Sequence, residues 1–209
     1  IRDRIGSVGT VMPDVEVKIG ENNEILLRGK TITTGYYKKP EATAAAIDRD
    51  GWFHTGDAGY LKDSHLYLTE RIKDLFKTSN GKYISPQALE TKLAIDRYID
   101  QIAVIADERK FVSALIVPVY GFVKDYAKEK GIAYSNMDEL LQHPKIQALF
   151  RARIDTLQQQ FAHYEQVKRF TLLTEPFSME RGELTNTLKL KRSVVAKNYK
   201  GLIDKMYEE

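Results

Sequence analysis

The sequence runs to 209 residues, 43% hydrophobic and 29% charged, which is enough apolar side chain for one large core or two small ones and excludes a disordered chain. Its 32 Lys and Arg against 29 Asp and Glu leave a net charge of +3 with both signs interleaved, which points to neither nucleic acid nor an anionic membrane as partner. With no cysteine there is no disulfide framework, thiolate zinc site or thiol nucleophile; His54, His65, His143 and His163 are not at metal-ligand spacing, so no metal site is expected; and no apolar run nears the roughly 18 to 20 residues of a membrane span. A cytosolic setting is the expectation. The chain opens on Ile1 and enters at once on the turn-and-strand text Gly6-Ser7-Val8-Gly9, which reads as a piece of a longer protein.

The first seventy residues read as mostly β. Val15, Val17 and Ile19, then Ile25, Leu26 and Leu27, flank Glu21-Asn22-Asn23 as a hairpin. Pro40 suits the first position of a short helix through Ile47, ended by Asp50-Gly51. A second strand pair is expected at Trp52-Phe53-His54 and His65-Leu66-Tyr67-Leu68, turning at Lys62-Asp63-Ser64.

Strands and helices mix after residue 70. Leu75 to Thr78 and Tyr83-Ile84 flank Asn80-Gly81 as a small hairpin, and Ser85-Pro86 offers an N-cap and first position for a helix through Leu89 and Leu93. Ile102 to Ile105 and Val112 to Val117 are β text. From Pro144, the spacing of Ile146, Leu149, Phe150, Ile154, Leu157 and Phe161 predicts a helical stripe facing a core, with Lys145, Arg151 and Gln158 facing water. A final helix should bury Val195, Tyr199, Leu202 and Met206. The expected fold class is α+β, without repeats.

Three segments carry chemistry. In Trp52-Phe53-His54-Thr55-Gly56-Asp57-Ala58-Gly59, two glycines permit a tight backbone that frees the Asp57 carboxylate at a strand end, where it can accept two hydrogen bonds from a vicinal diol. Taken alone it is also an ordinary Gly-Asp turn. In the block from Arg71 to Glu90, the even spacing of Arg71, Lys73 and Lys77 puts three cations on one face if the segment stays regularly extended, a face suited to phosphate oxygens or simply to solvent. Gly182 to Arg192 is a polar loop that delivers Lys189 and Lys191 just before the last helix, and by itself passes for a basic surface run.

In their order and spacing these segments, with Gly35-Tyr36-Tyr37-Lys38-Lys39-Pro40-Glu41-Ala42-Thr43, resemble the successive core motifs of the adenylate-forming superfamily: acyl-CoA synthetases, peptide-synthetase adenylation domains and luciferases. Pro144-Lys145-Ile146, Tyr164-Glu165-Gln166-Val167-Lys168 and Leu184 to Arg192 are similar to the long-chain fatty acyl-CoA ligase branch. The resemblance covers essentially the whole chain. It implies that residues 1–70 are the β-rich tail of a large AMP-binding domain and 71–209 a mobile C-terminal lid hinged near Lys73. The implied reaction uses a fatty acid, ATP with Mg²⁺, and coenzyme A. The acid attacks the α-phosphorus of ATP to give acyl-adenylate, and the thiol of coenzyme A then displaces AMP.

The resemblance further implies that Asp57 holds the ribose hydroxyls and Arg71 a ribose or phosphate group. It makes Lys189 the adenylating lysine, with Lys191 the alternative if the motif is aligned one gap along, because Leu188 stands where a glycine is usual. The loop Ser79-Asn80-Gly81-Lys82 would approach the pantetheine arm. The phosphate loop, the magnesium-binding segment and the acyl pocket belong upstream, so the piece alone should fold without turning over; the parent stays cytoplasmic, with association at a membrane surface left open. The competing readings are the lid of an aryl- or amino-acid-adenylating enzyme, and a non-catalytic module whose basic loops hold an acidic partner.

Overall fold

The computed structural model describes residues 4–208; the side chain of Lys73, the expected hinge, lies outside that description. The chain divides into two compact units, one through Leu75 and one from Phe76.

The first unit is one antiparallel sheet. Strands β1 (Gly9–Thr10), β2 (Val15–Ile19) and β3 (Glu24–Gly29) precede a short helix α1 (Pro40–Ala46), and β4 (Phe53–Lys62) and β5 (His65–Arg71) follow it. The sheet order is β1-β5-β4-β3-β2. Both hairpins form where turn residues accept a left-handed backbone: Asn22 and Asn23 at φ 53° and 59° between β2 and β3, Asp63 and Ser64 at 49° and 63° between β4 and β5. Pro40 opens α1, its fixed φ suiting a position that needs no N–H. Among the described residues of this unit only Ile25, Leu26 and Ala58 are buried apolar side chains.

The second unit is built in three layers. Strands β6 (Phe76–Lys77) and β7 (Tyr83–Ile84) form a small hairpin; α2 (Pro86–Leu93), β8 (Ile99–Ile105), β9 (Val112–Pro118), α3 (Tyr120–Glu129), α4 (Met137–Gln142), α5 (Pro144–Leu157), β10 (Val167–Leu172), α6 (Arg192–Asn198) and α7 (Lys200–Lys205) complete it. Strand β9 is central, antiparallel to β8 and parallel to β10, a pairing that requires the crossover made by α3 to α5. Every residue of β9 is buried because both sheet faces are covered. Val112, Ala114 and Ile116 point to the layer of α2 to α5, where Leu89, Leu140, Ile146, Phe150 and Ile154 pack, while Leu115 and Val117 point to Val195, Ile203 and Met206. The Ser85 hydroxyl accepts the Ala88 N–H and caps α2 ahead of Pro86, as its sequence predicts.

Three sequence expectations are corrected. Gln158 is buried, because α5 ends at Leu157 and the Gln158 amide turns inward to accept the Val167 N–H at 2.8 Å, standing in for a ladder partner where β10 begins with a register shift. The last helix is two, broken at Tyr199; the break changes the helical phase, so Ile203 is buried and Leu202 exposed, while Val195 and Met206 are buried as expected. The run from Arg71 to Lys77 is not regularly extended. A 3-10 turn over Ile72–Asp74 interrupts it, so even spacing no longer fixes a shared face for Arg71, Lys73 and Lys77.

Candidate functional site

The Thr55-Gly56-Asp57 segment is a bulge in β4. Leu26 pairs with His54 and Glu24 with Ala58, so three residues of β4 stand opposite Ile25 alone. The Thr55 hydroxyl compensates for the broken ladder, donating to the Ile25 carbonyl at 2.7 Å and accepting the Asp57 N–H at 3.1 Å. Gly56 turns the chain at φ 71°, a region L side chains rarely adopt. On its other edge β4 pairs Asp57 with Arg71 of β5, and Arg71 Nε lies 3.3 Å from Asp57 Oδ1. The Arg71 side chain is 74% exposed and that of Asp57 34%, so the carboxylate is steadied by one cation yet open to a ligand. Glu24, His54, Thr55, Gly56, Arg71 and Tyr36 line an open groove beside the bulge.

The second unit carries two polar loops. In the β6–β7 hairpin the Gly81 N–H donates to the Thr78 carbonyl at 2.8 Å, and Gly81 sits at φ 74° with open space around it. The loop is fastened to the β8–β9 connection, Ser79 N–H donating to the Arg109 carbonyl at 3.0 Å and the Asn80 amide to the Lys110 carbonyl at 3.4 Å. Lys82 is exposed, its ammonium 5.6 Å from the Tyr164 ring centre.

Lys189 lies in a tight reversal clasped by a bridge between Leu184 and Leu190. The Thr185 N–H donates to the Lys189 carbonyl at 2.8 Å, and the Thr185 hydroxyl accepts the N–H groups of Thr187 and Lys189. Leu188 takes φ 59° and is 67% exposed. Lys191 differs: its N–H donates to the Glu183 carbonyl at 2.7 Å, and it is the residue that leads into α6.

Two further anchors belong to this unit, and sequence reasoning gave neither a role. The Glu183 carboxylate is buried, accepting from Ser178 N–H, Arg181 Nε and Asn198 Nδ2 at 3.0 to 3.1 Å. Burial alone would push this carboxyl up, but the Arg181 guanidinium, the Asn198 amide and the Ser178 N–H together hold it below the usual carboxylate range. Arg192, three residues after Lys189, forks onto Glu90 at 2.6 and 2.7 Å, and Glu90 also accepts the Val104 N–H at 2.8 Å. The same guanidinium lies 5.5 Å from the ring centre of Phe76, at the base of the Gly81 hairpin, so both loops stand on one network. Glu90 and Arg192 are separated by 102 residues, and no local pattern could have paired them.

The mixed helix and strand fold of the chain matches that of adenylate-forming enzyme domains. The adenylation domain of a carboxylate reductase from Mycobacterium chelonae superposes with a TM-score of 0.73 over 96% of this chain and 32% of its own, at 25% identity. That of a carboxylic acid reductase from Segniliparus rugosus, solved with AMP and a co-purified carboxylic acid, gives 0.70 over 97% and 34%, at 23% identity. The chain belongs to the AMP-binding enzyme C-terminal domain family, whose model matches residues 73–209. In sequence it is 35% identical to long chain acyl-CoA synthetase 7, peroxisomal, of Arabidopsis thaliana over 98% of its length and 32% of the relative's. It is 32% identical to the long-chain-fatty-acid–CoA ligase FadD15 of Mycobacterium tuberculosis over 99% and 34%. The chain thus spans about a third of the length of the curated relatives it matches.

Proposed function

We propose that this chain is the C-terminal part of an AMP-forming long-chain fatty acid–CoA ligase, residues 1–70 closing the large nucleotide-binding domain and 71–209 forming its lid. The observation that carries the reading is the likeness, over 98 to 99% of the chain, to proteins named as long-chain acyl-CoA synthetases and ligases. In the first half-reaction a fatty acid carboxylate attacks the α-phosphorus of ATP and pyrophosphate leaves; in the second the thiol of coenzyme A takes the acyl group and AMP leaves. Mg²⁺ enters as the counter-ion of ATP, and so as part of a substrate. Among the described residues no group of three or more His, Asp or Glu is arranged to hold a metal. No helix among them is long and apolar enough to cross a membrane.

Asp57 accepts the two ribose hydroxyls, its bulge projecting it from the sheet, and Arg71 both orients that carboxylate and offers a cation to ribose or phosphate. Lys189 offsets the repulsion between the incoming carboxylate and the α-phosphate. What supports Lys189 over Lys191 is the backbone. Leu188 is the left-handed residue, so it fills the position directly before Lys189 where the motif's glycine is at home. Lys73, between the extended residues Arg71 and Leu75 in a single 3-10 turn, serves as the hinge about which the lid exchanges Lys189 for the Asn80-Gly81-Lys82 loop, which approaches the pantetheine arm.

The test is made on the full-length ligase. Lys189→Ala should slow adenylation on the order of a hundredfold, the size of losing one charge-stabilising group, and leave thioester formation from supplied acyl-adenylate nearly intact. A selective defect from Lys191→Ala instead would move the role by two residues. Pyrophosphate exchange driven by aryl acids or amino acids but not by long-chain acids would overturn the substrate class. The 209-residue chain alone should neither exchange pyrophosphate into ATP nor form acyl-CoA.

A further inference from the structure

Glu24 has no part in the roles assigned above, yet its carboxylate reaches the centre of the Asp57 bulge. With three residues of β4 opposite one of β3, the Gly56 N–H must be satisfied from elsewhere; it donates to Glu24 Oε1 at 3.0 Å. The second oxygen, Oε2, meets His54 Nδ1 at 2.9 Å, and the far side of that ring lies 3.8 Å from Asp48 Oδ2. Asp48 is itself fixed by the N–H groups of Asp50 and Trp52, at 3.0 and 2.8 Å. The Glu24 side chain is 18% exposed, so this brace is largely shielded from competing water. Gly56 has no side chain, and open space surrounds the place where one would be, so packing does nothing to define the peptide that precedes Asp57. Beside the ladder that pairs Asp57 with Arg71 of β5, the Gly56 N–H bond to Glu24 and the Thr55 hydroxyl hold this stretch.

We infer that Glu24 is a positioning residue that acts through Gly56 to fix the Asp57 carboxylate, and thereby sets the preference for a ribonucleotide over its 2′-deoxy counterpart. This rests on the reading of Asp57 as the ribose ligand. A glutamate that merely stabilised the sheet would affect every nucleotide alike. One that aims Asp57 weakens ATP, held through both hydroxyls, more than 2′-deoxy-ATP, which offers Asp57 only its 3′-hydroxyl.

The experiment measures kcat and KM for ATP and 2′-deoxy-ATP with the full-length ligase and its E24A, E24D, E24Q, D57A and E24A/D57A variants. E24A should raise the KM for ATP roughly tenfold, the effect of losing one hydrogen bond to a charged group, with little change in kcat and a clearly smaller rise in KM for 2′-deoxy-ATP. E24Q should restore most of the loss, since an amide oxygen still accepts the Gly56 N–H. E24D keeps the charge but is one methylene too short to span both partners; it should share the selective defect, and it decides the matter if E24A fails to fold. The double variant should be no worse than D57A. Equal loss with both nucleotides, or additive effects of E24A and D57A, would overturn the assignment to Glu24 while D57A remains selective. A D57A variant that does not discriminate overturns the ribose reading itself, and the Glu24 assignment with it.

Discussion

Leu188 holds a backbone conformation that costs an L-residue about 1 to 2 kcal/mol, and its side chain, mostly in solvent, recovers little by burial. The clasp of Thr185 on Lys189 imposes it. Leu188→Asn should therefore raise the thermal midpoint, because Asn tolerates this region without the chain entropy of Gly; Leu188→Val should lower it. Opposite shifts in a melting experiment check the strain, and equal shifts would refute it. Glu183 gives a pH dependence of definite sign. Its folded pKa lies below its unfolded one, so its contribution is fully present above the unfolded value near 4.5 and is lost as pH falls through the folded value. Acid unfolding of Glu183→Gln should accordingly be less steep than that of the parent sequence below about pH 4.5, as followed by circular dichroism.

At the scale of the element, the β4 bulge shows how a strand breaks its ladder without orphaning it. The Thr55 hydroxyl serves the Ile25 carbonyl and the Asp57 N–H together. Thr55→Val keeps the shape and removes both bonds. It should cost about 1 to 3 kcal/mol, the penalty of an unsatisfied buried carbonyl, and Thr55→Ser should recover most of it. Urea unfolding of the two variants measures the difference; equal losses would mean that the methyl group and not the hydroxyl matters. Hairpins and caps were legible in the sequence because each is decided within a few residues: Asn22-Asn23, Asp63-Ser64 and Ser85-Pro86 act on their own backbone. Gln158 and Leu202 were not. Their burial depends on where β10 begins and on the break at Tyr199, events in the packing of the second unit and not in the helical period.

Taken whole, the molecule distributes its stability unevenly. Both apolar clusters lie in residues 76–209, whereas among described residues the first unit buries only three apolar side chains. An excised segment 76–209 should unfold cooperatively in calorimetry, and Phe150→Ala, which empties a fully buried site, should cost it about 3 to 5 kcal/mol. An excised segment 1–75 should show no comparable transition, because a five-stranded sheet with so small a core lacks the burial to offset its chain entropy. A sharp transition in the shorter piece would contradict this distribution.

The sequence by itself determined the α+β class, the order of the hairpins and the capped helix α2, and it picked out the three candidate segments, because propensity, turn residues and motif spacing are local properties of the chain. It left Lys189 and Lys191 as alternatives, and the left-handed backbone at Leu188 is what distinguishes their surroundings. Tertiary structure alone decided that the Thr-Gly-Asp segment is a bulge, since that requires β3 to supply one residue against three. It alone brought Glu24 to Gly56 across 32 residues, and Arg192 to Glu90 across 102. A carboxylate's partner is chosen by what the folded chain brings within about 3 Å, and sequence separation carries no information on that distance.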